Sequence, residues 1–317
     1  MVTRDTQTQA PTRLRAFIDK ARALPPLKTA VVDAGEQHVL EGVLEARDAG
    51  LLEPILIGRR DRIETLCGTL HCPELAGDTL VPASNEEEAA EIGVELVQQG
   101  EAHALAKGWI HTDALMHPVL RALRRGQRVS HVFVADLPSY PKLLFITDAA
   151  INIEPDLSVK ASIVQNAVDL ARLLGVATPR VAALSAVEVV KPAIQSTIDA
   201  ACLSKMADRG QIRHAIIDGP LAFDNAISRE AANIKHIDSP VSGEVDILLA
   251  PDLNAANILA KDLEYLAGAT LAGIVIGATA PIMLPSRSDP PVARLVSAAL
   301  AMLMHQARMD LSAESNG

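Results

Sequence analysis

An alternation of short apolar runs with stretches of helical period constrains this chain more than any other feature. Residues 29–33, 54–58, 102–106, 129–135, 142–147, 180–184 and 214–217 read as strands. Between them, 36–49, a stretch from Arg60, 85–99, 113–124, 155–174, a segment around 192–207 and 224–232 read as helices. In 245–250 and 271–276 almost every residue is apolar. Such continuity belongs to strands covered on both faces. The rhythm predicts an α/β fold, with a parallel or mixed sheet and helices on both of its faces. At 317 residues the chain makes one large domain or two ordinary ones.

Composition narrows the partners. A formal charge of −10 opposes the phosphates of a nucleic acid. Aromatics are 2% of the chain, with Trp109 the sole tryptophan, so stacking platforms for bases are scarce. No run approaches the ~20 apolar residues that span a bilayer, and Met1 to Ala10 carry no apolar signal core. A cytoplasmic protein is expected, without a nucleic-acid or membrane partner. Three cysteines, Cys67, Cys72 and Cys202, suit a reducing compartment. Cys67, His71 and Cys72 resemble a metal-binding fragment, but no second ligand cluster accompanies them, so no metal is expected.

The segment from Met283 to Asp289, Met-Leu-Pro-Ser-Arg-Ser-Asp, carries the densest chemistry. Pro290 and Pro291 follow it, and a long apolar helix pattern runs from Val292 to about Met309. Ser286, Arg287 and Ser288 therefore lie just before a helix N-terminus, where free N–H groups and the helix dipole favour an anion. A guanidinium there can clamp phosphate or carboxylate with two hydrogen bonds. Three further loaded stretches fall after strands, where open α/β sheets bind ligands. They begin at Thr147-Asp148 and include Asn152, at Asp218-Gly219-Pro220 and include Asp224, and at Pro251-Asp252 and include Asn257 and Lys261.

At these places the chain resembles the phosphate acetyl/butyryltransferase family. The matching residues are Leu143 to Asn152 (Leu-Leu-Phe-Ile-Thr-Asp-Ala-Ala-Ile-Asn), Leu184-Ser-Ala-Val-Glu188, the Asp218 to Ala226 run, the Pro251 to Lys261 run and Ser286-Arg287. Their order covers roughly residues 100 to 300. Ser130 to Phe133 and Ser286 to Asp289 look closest to the butyryltransferase-like branch. The resemblance implies reversible transfer of a short acyl group, acetyl to butyryl, between CoA and inorganic phosphate. It implies direct attack of the CoA thiolate on an acyl phosphate, with no metal ligand and no tightly bound cofactor. The implied fold is that of isocitrate and isopropylmalate dehydrogenases, two α/β/α domains with a cleft between them. Residues 1–138 with 286–317 would form the first domain and 139–285 the second. A homodimer is the family expectation.

Charge grows on the carbonyl oxygen and on the departing phosphate in that reaction, so a fixed cation is the first requirement. Arg287 fits it, although a surface ion pair would also suit an arginine there. Ser286 can bond the thiol or the phosphate. Asp289 is a candidate base and equally a candidate N-cap, since it precedes Pro290. Acetyltransferase-branch members place an acid seven residues after the serine; that position is Ala293 here, which leaves the base open. His117 stands where that branch has an arginine, and reads either as a substrate contact or as structural. Thr112 and Asp113 read as a helix cap. Asn257 and Lys261 share a helix face; Lys261 meets either CoA phosphates or Glu264. Asp252 and Asn254 are cap candidates for that helix. Asp224 complements a helix dipole or lines the cleft, and Asp148 and Asn152 shape its hinge side.

Two other classes remain. A non-catalytic CoA-binding or regulatory relative would keep the binding residues and lack the base. A nicotinamide-dependent hydroxy-acid dehydrogenase on the same fold would need metal ligands that have no suitable spacing here. The turn after the first strand, Asp33-Ala-Gly35-Glu, also lacks a Gly-x-Gly-x-x-Gly fingerprint.

Overall fold

In a computed structural model, residues 12–77, 79–124, 126–286 and 289–315 are described. The chain begins with α1 (Thr12–Ala21), β1 (Leu27–Val32), α2 (Gln37–Asp48), β2 (Leu52–Gly58), α3 (Arg60–Thr69), β3 (Leu80–Pro82), α4 (Glu86–Gln99), β4 (Ala104–Lys107) and α5 (Thr112–Ala122). It continues with β5 (Ser130–Asp136), β6 (Leu144–Thr147), α6 (Leu157–Leu173), β7 (Arg180–Leu184), α7 (Gln195–Asp208) and β8 (Ile216–Leu221). Then come α8 (Phe223–Ile227), α9 (Arg229–Ile234), β9 (Ile247–Leu249), α10 (Leu253–Tyr265), β10 (Thr270–Ile276), β11 (Ile282–Met283) and α11 (Pro291–Ser315). Two compact units result: Met1–Met116 with Met283–Gly317, and His117–Ile282.

In the first unit, strands β3-β2-β1-β4 are neighbours in that order and all parallel. Their core includes Val31, Leu40, Val43, Leu56 and Ile63. Cys67 and Cys72 are buried in the same cluster, and burial pushes the Cys67 thiol up to about 12, with Cys72 adding to the shift. Both cysteines are thus core residues, and a protonated buried thiol is a poor metal ligand. Helix α4 starts where the sequence dictates. Asn85 accepts the Glu88 N–H at 2.9 Å, and Glu88 reaches back to the Ser84 N–H at 2.7 Å. Gly100, at φ 75°, ends it in the left-handed conformation that glycine takes without a Cβ clash.

The second unit has a mixed sheet in the order β10-β5-β6-β9-β7-β8, with β11 paired to β10. The β10/β5 and β5/β6 pairs are antiparallel, and β6/β9, β9/β7 and β7/β8 are parallel. Strand β10 is buried along nearly its whole length, as its apolar run requires. Asp156 caps α6 by accepting the Val159 N–H at 2.8 Å, and Asp252 caps α10 by accepting the Ala255 N–H at 3.0 Å.

Four local expectations are corrected. Residues 218–221 form the end of β8 instead of a turn; a Cβ on Gly219 would sit 2.7 Å from the Ala183 carbonyl oxygen of β7, so only glycine lets the strands approach. The expected helix 224–232 is two helices, because Ser228 leaves helical geometry and accepts the Ala231 N–H at 3.2 Å. The helix expected from Pro192 starts at Gln195, after a turn in which Thr197 Oγ1 accepts the Lys191 N–H. Thr112 and Asp113 lie inside the first turn of α5, and Glu86 instead accepts the His111 N–H at 3.1 Å.

His131 on β5 gives the second unit an acid sensitivity. It is fully buried, edge-on to Phe133 with ring centroids 4.4 Å apart, and its Nδ1 has no hydrogen-bond partner. Burial alone pushes its pKa down to about 3. The unfolded chain binds a proton at this residue near pH 6.5 and the folded chain does not. Stability is therefore full above pH 6.5 and falls as pH drops toward 3, by up to about 1.4 kcal/mol per pH unit. His131→Leu is expected to flatten this slope in melting curves taken across that window. An unchanged slope would contradict it.

Candidate active site

Of the three residues expected to carry chemistry, Ser286 and Asp289 are described, and Arg287 lies outside the described residues. Ser286 is half-buried and its backbone N–H donates to Asp289 Oδ2 at 2.7 Å. The Asp289 N–H donates back to the Ser286 carbonyl at 3.1 Å. Two hydrogen bonds thus tie Ser286 to Asp289. The expected capping role is corrected: α11 begins at Pro291, which makes Pro290 the cap position. The reason is steric. A residue that precedes proline is pushed out of helical geometry, so Pro290 cannot be the first helical residue when Pro291 follows. Asp289 stands one place too early to cap. Ala293 is 2% exposed and its N–H bonds the Pro290 carbonyl, so that position faces the interior of the unit.

Arg294, a residue the sequence reading passed over, ties the turn to α11. Its Nη1 donates to the Asp289 carbonyl at 3.0 Å. Its stem crosses α2 at Gly42, where a Cβ would lie 2.8 Å from Arg294 Nε. The available signal was a glycine in the middle of a helix otherwise free of breakers. Asp33 was noticed only for a missing motif. It follows β1 at φ 58°, and burial raises its pKa against the pull of Arg62, with Glu86 and Glu36 raising it further. Gly108, beyond β4, has no Cβ to collide with the Asp33 carbonyl.

In the second unit the segment after β6 is organised around a buried carboxylate. Asp148 is 3% exposed; its Oδ1 accepts the Ala150 and Ile151 N–H groups at 3.0 and 3.1 Å. Its Oδ2 accepts Asn152 Nδ2 at 2.6 Å. Burial still raises the pKa of this group, and those hydrogen bonds oppose the rise. Asn152 in turn donates to the Val129 carbonyl and accepts from Arg128 Nε at 3.0 Å. Asn257, exposed on α10, donates to the Ala149 carbonyl at 3.2 Å and so joins this segment. Lys261 pairs with Glu264 at 2.8 Å and lies 5.7 Å from the Tyr265 ring centroid. Asp224 is exposed and paired with Lys235 at 3.0 Å, which holds its carboxyl below the usual range. His117 is exposed on α5, ahead of Pro118 within the helix.

A buried ion pair was missed entirely. Lys160 Nζ lies 2.6 Å from Asp199 Oδ2, both side chains 7% exposed, and Gln195 donates to the other Asp199 oxygen at 2.9 Å. Lys160 occupies the inner face of α6 with Ile163, Val164 and Ala167, at the spacing of one helix stripe. A lysine on an apolar stripe was the signal. Among the described residues no group of three or more His, Cys, Asp or Glu could hold a metal ion, and no helix is long and apolar enough to cross a membrane.

Comparison with known proteins matches these sequences and this fold to one family. The family model described as phosphate acetyl/butaryl transferase matches residues 79–302. A phosphate acetyltransferase of Rhizobium meliloti is 48% identical over 92% of this chain and 93% of its own length. A phosphate butyryltransferase of Clostridium beijerinckii is 39% identical over 91% of this chain and 96% of its own. Among solved structures, a branched-chain phosphotransacylase from Enterococcus faecalis superposes with a TM-score of 0.73 at 28% identity, covering 88% of this chain and 99% of that one. The α/β architecture is therefore that of the phosphotransacylases, related to the dehydrogenase-like fold expected from the sequence. By sequence along nearly its whole length, and by fold, this chain belongs to the phosphate acetyl/butyryltransferase family.

Proposed function

We propose that this protein is a phosphate acyltransferase that moves a short acyl group reversibly between CoA and inorganic phosphate. The observation that carries the reading is 48% identity to a phosphate acetyltransferase over 92% of this chain, and 39% identity to a phosphate butyryltransferase over 91% of it. It favours this reading over the dehydrogenase and non-catalytic alternatives.

In the proposed mechanism the CoA thiol, mostly protonated at neutral pH, gives up its proton as sulfur attacks the acyl carbonyl. The carbon–sulfur bond forms, the carbon–oxygen bond to phosphorus breaks, and phosphate leaves with the electron pair. Arg287 neutralises the charge that grows on the carbonyl and phosphate oxygens. Ser286 presents its hydroxyl to the thiol or the phosphate. Asp289, which accepts the Ser286 N–H, is the candidate to take the thiol proton. Asp224, Asn257, Lys261 and His117 are proposed to contact CoA or phosphate. For Lys261 this means leaving Glu264, and for Asp224 sharing Lys235 with the ligand. No tightly bound cofactor enters this scheme. The same proposal places the enzyme in the cytoplasm, with thiols kept reduced, as a homodimer. Exposed Ile258 and Tyr265 share one face of α10, and exposed Leu266 follows directly after it; together they would suit a second copy.

Exchange of labelled phosphate into acyl phosphate tests both the activity and the route. Label is expected to enter only when CoA is present. No incorporation with CoA would overturn the activity. Incorporation without CoA would reveal an acyl-enzyme and overturn direct attack.

A further inference from the structure

The first unit by itself contains a cavity of ≈ 80 Å³ lined by β1, β4, α2 and α11. Most of its wall is aliphatic, with Val31, Val43, Ala46, Leu52, Met283 and Ala298 contributing. Since one water needs roughly 10–15 Å³ measured this way, the space corresponds to about six water-sized groups, close to a butyryl chain. Its polar wall includes Ser286 and Arg294, which are linked through Asp289. Arg294 Nε is a buried donor with no hydrogen-bond partner. Arg294 therefore presents to the cavity a guanidinium of which one end is held by the Asp289 carbonyl. Gly42 adds to the design, because any side chain there would press on Arg294 Nε.

We propose that this cavity is the acyl-chain pocket, with the hydrocarbon tail of the substrate among Val43, Ala46 and Ala298 and its carbonyl or phosphate oxygen facing Arg294 and Ser286. The inference rests on the acyltransferase reading and extends it to the residues that set chain length. An apolar cavity of this kind is poorly served by water and well served by a small hydrocarbon group. Val43 and Ala298 set its depth from opposite helices, α2 and α11.

The test compares kcat/KM for acetyl-CoA and butyryl-CoA, with phosphate as the acceptor, in the wild type, Ala298→Leu and Val43→Ala. One methylene in a hydrophobic pocket discriminates by roughly 10-fold or more. Ala298→Leu is expected to lower the butyryl-to-acetyl ratio at least about 10-fold, and Val43→Ala is expected to raise it. Should Ala298→Leu fail to fold, judged by its melting curve, the ratio in Val43→Ala decides alone. Ratios equal to the wild type in every folded variant would overturn the pocket while leaving the acyltransferase reading intact. A folded wild type inactive on both substrates would overturn that reading and the pocket with it, and needs no variant to be recognised.

Discussion

Replacing Arg287 with alanine is expected to lower kcat by roughly 10²–10³-fold or more, the loss seen when a single preorganised donor to a developing oxyanion is removed. In sequence the residue follows Ser286, whose N–H donates to the Asp289 carboxylate at 2.7 Å. Arg287→Lys keeps the charge and loses the planar fork, so it is expected to recover only part of the rate. Steady-state kinetics with CoA and acyl phosphate separate the outcomes. A fall in kcat with a near-normal KM for CoA is the signature of charge stabilisation in the transition state. An unchanged kcat in Arg287→Ala would remove this residue from the mechanism and return it to the surface ion-pair reading.

Breaking the Lys160–Asp199 pair is expected to cause the largest loss of stability. Both partners are buried in the second unit, 2.6 Å apart, and Gln195 satisfies part of the carboxylate. Removing one partner leaves a buried charge without compensation, at a cost of about 3–5 kcal/mol. Asp199→Ala and Lys160→Met should each lower the denaturant midpoint of this unit by a corresponding amount. The double variant Lys160→Met/Asp199→Leu should recover much of the loss, because replacing a whole buried pair with apolar groups is often close to neutral. Single variants within ~1 kcal/mol of wild type would show that the pair behaves as a solvated one.

Periodicity made the strands and helices legible where burial is one-sided or complete. β10 is the clearest case: its apolar run from Leu271 to Ile276 predicted a strand buried on both faces, and it is one. Asp252, a cap candidate in the sequence, caps α10, while Asn85 and Asp156, not singled out there, bond the N–H three residues on in the same way and cap α4 and α6. Other features depend on partners distant in sequence. Gly219-Pro220 reads as a turn locally, yet β7 draws it into β8 because glycine permits the close approach. The Pro290–Pro291 pair shifts the start of α11 by one residue and frees the Asp289 carboxylate to close the turn behind it. Lys160 was overlooked because a charge on a helix is ordinarily taken to face water, and only its place on the Ile163–Val164–Ala167 stripe betrayed it. The family itself was legible from ordered motifs. The roles of Asn257 and Asp224 were not, because the partners Ala149 and Lys235 become visible only in three dimensions, whereas Glu264 was already one of two partners open to Lys261 in the sequence.

Thioester formation by the purified wild-type protein, from CoA and acetyl, propionyl or butyryl phosphate, tests the central claim most directly. The prediction is that thioester accumulates with at least one of these donors, one phosphate released for each thioester formed. CoA bound without thioester from any donor would contradict catalysis and leave a binding protein; neither binding nor turnover would contradict the acyltransferase account altogether.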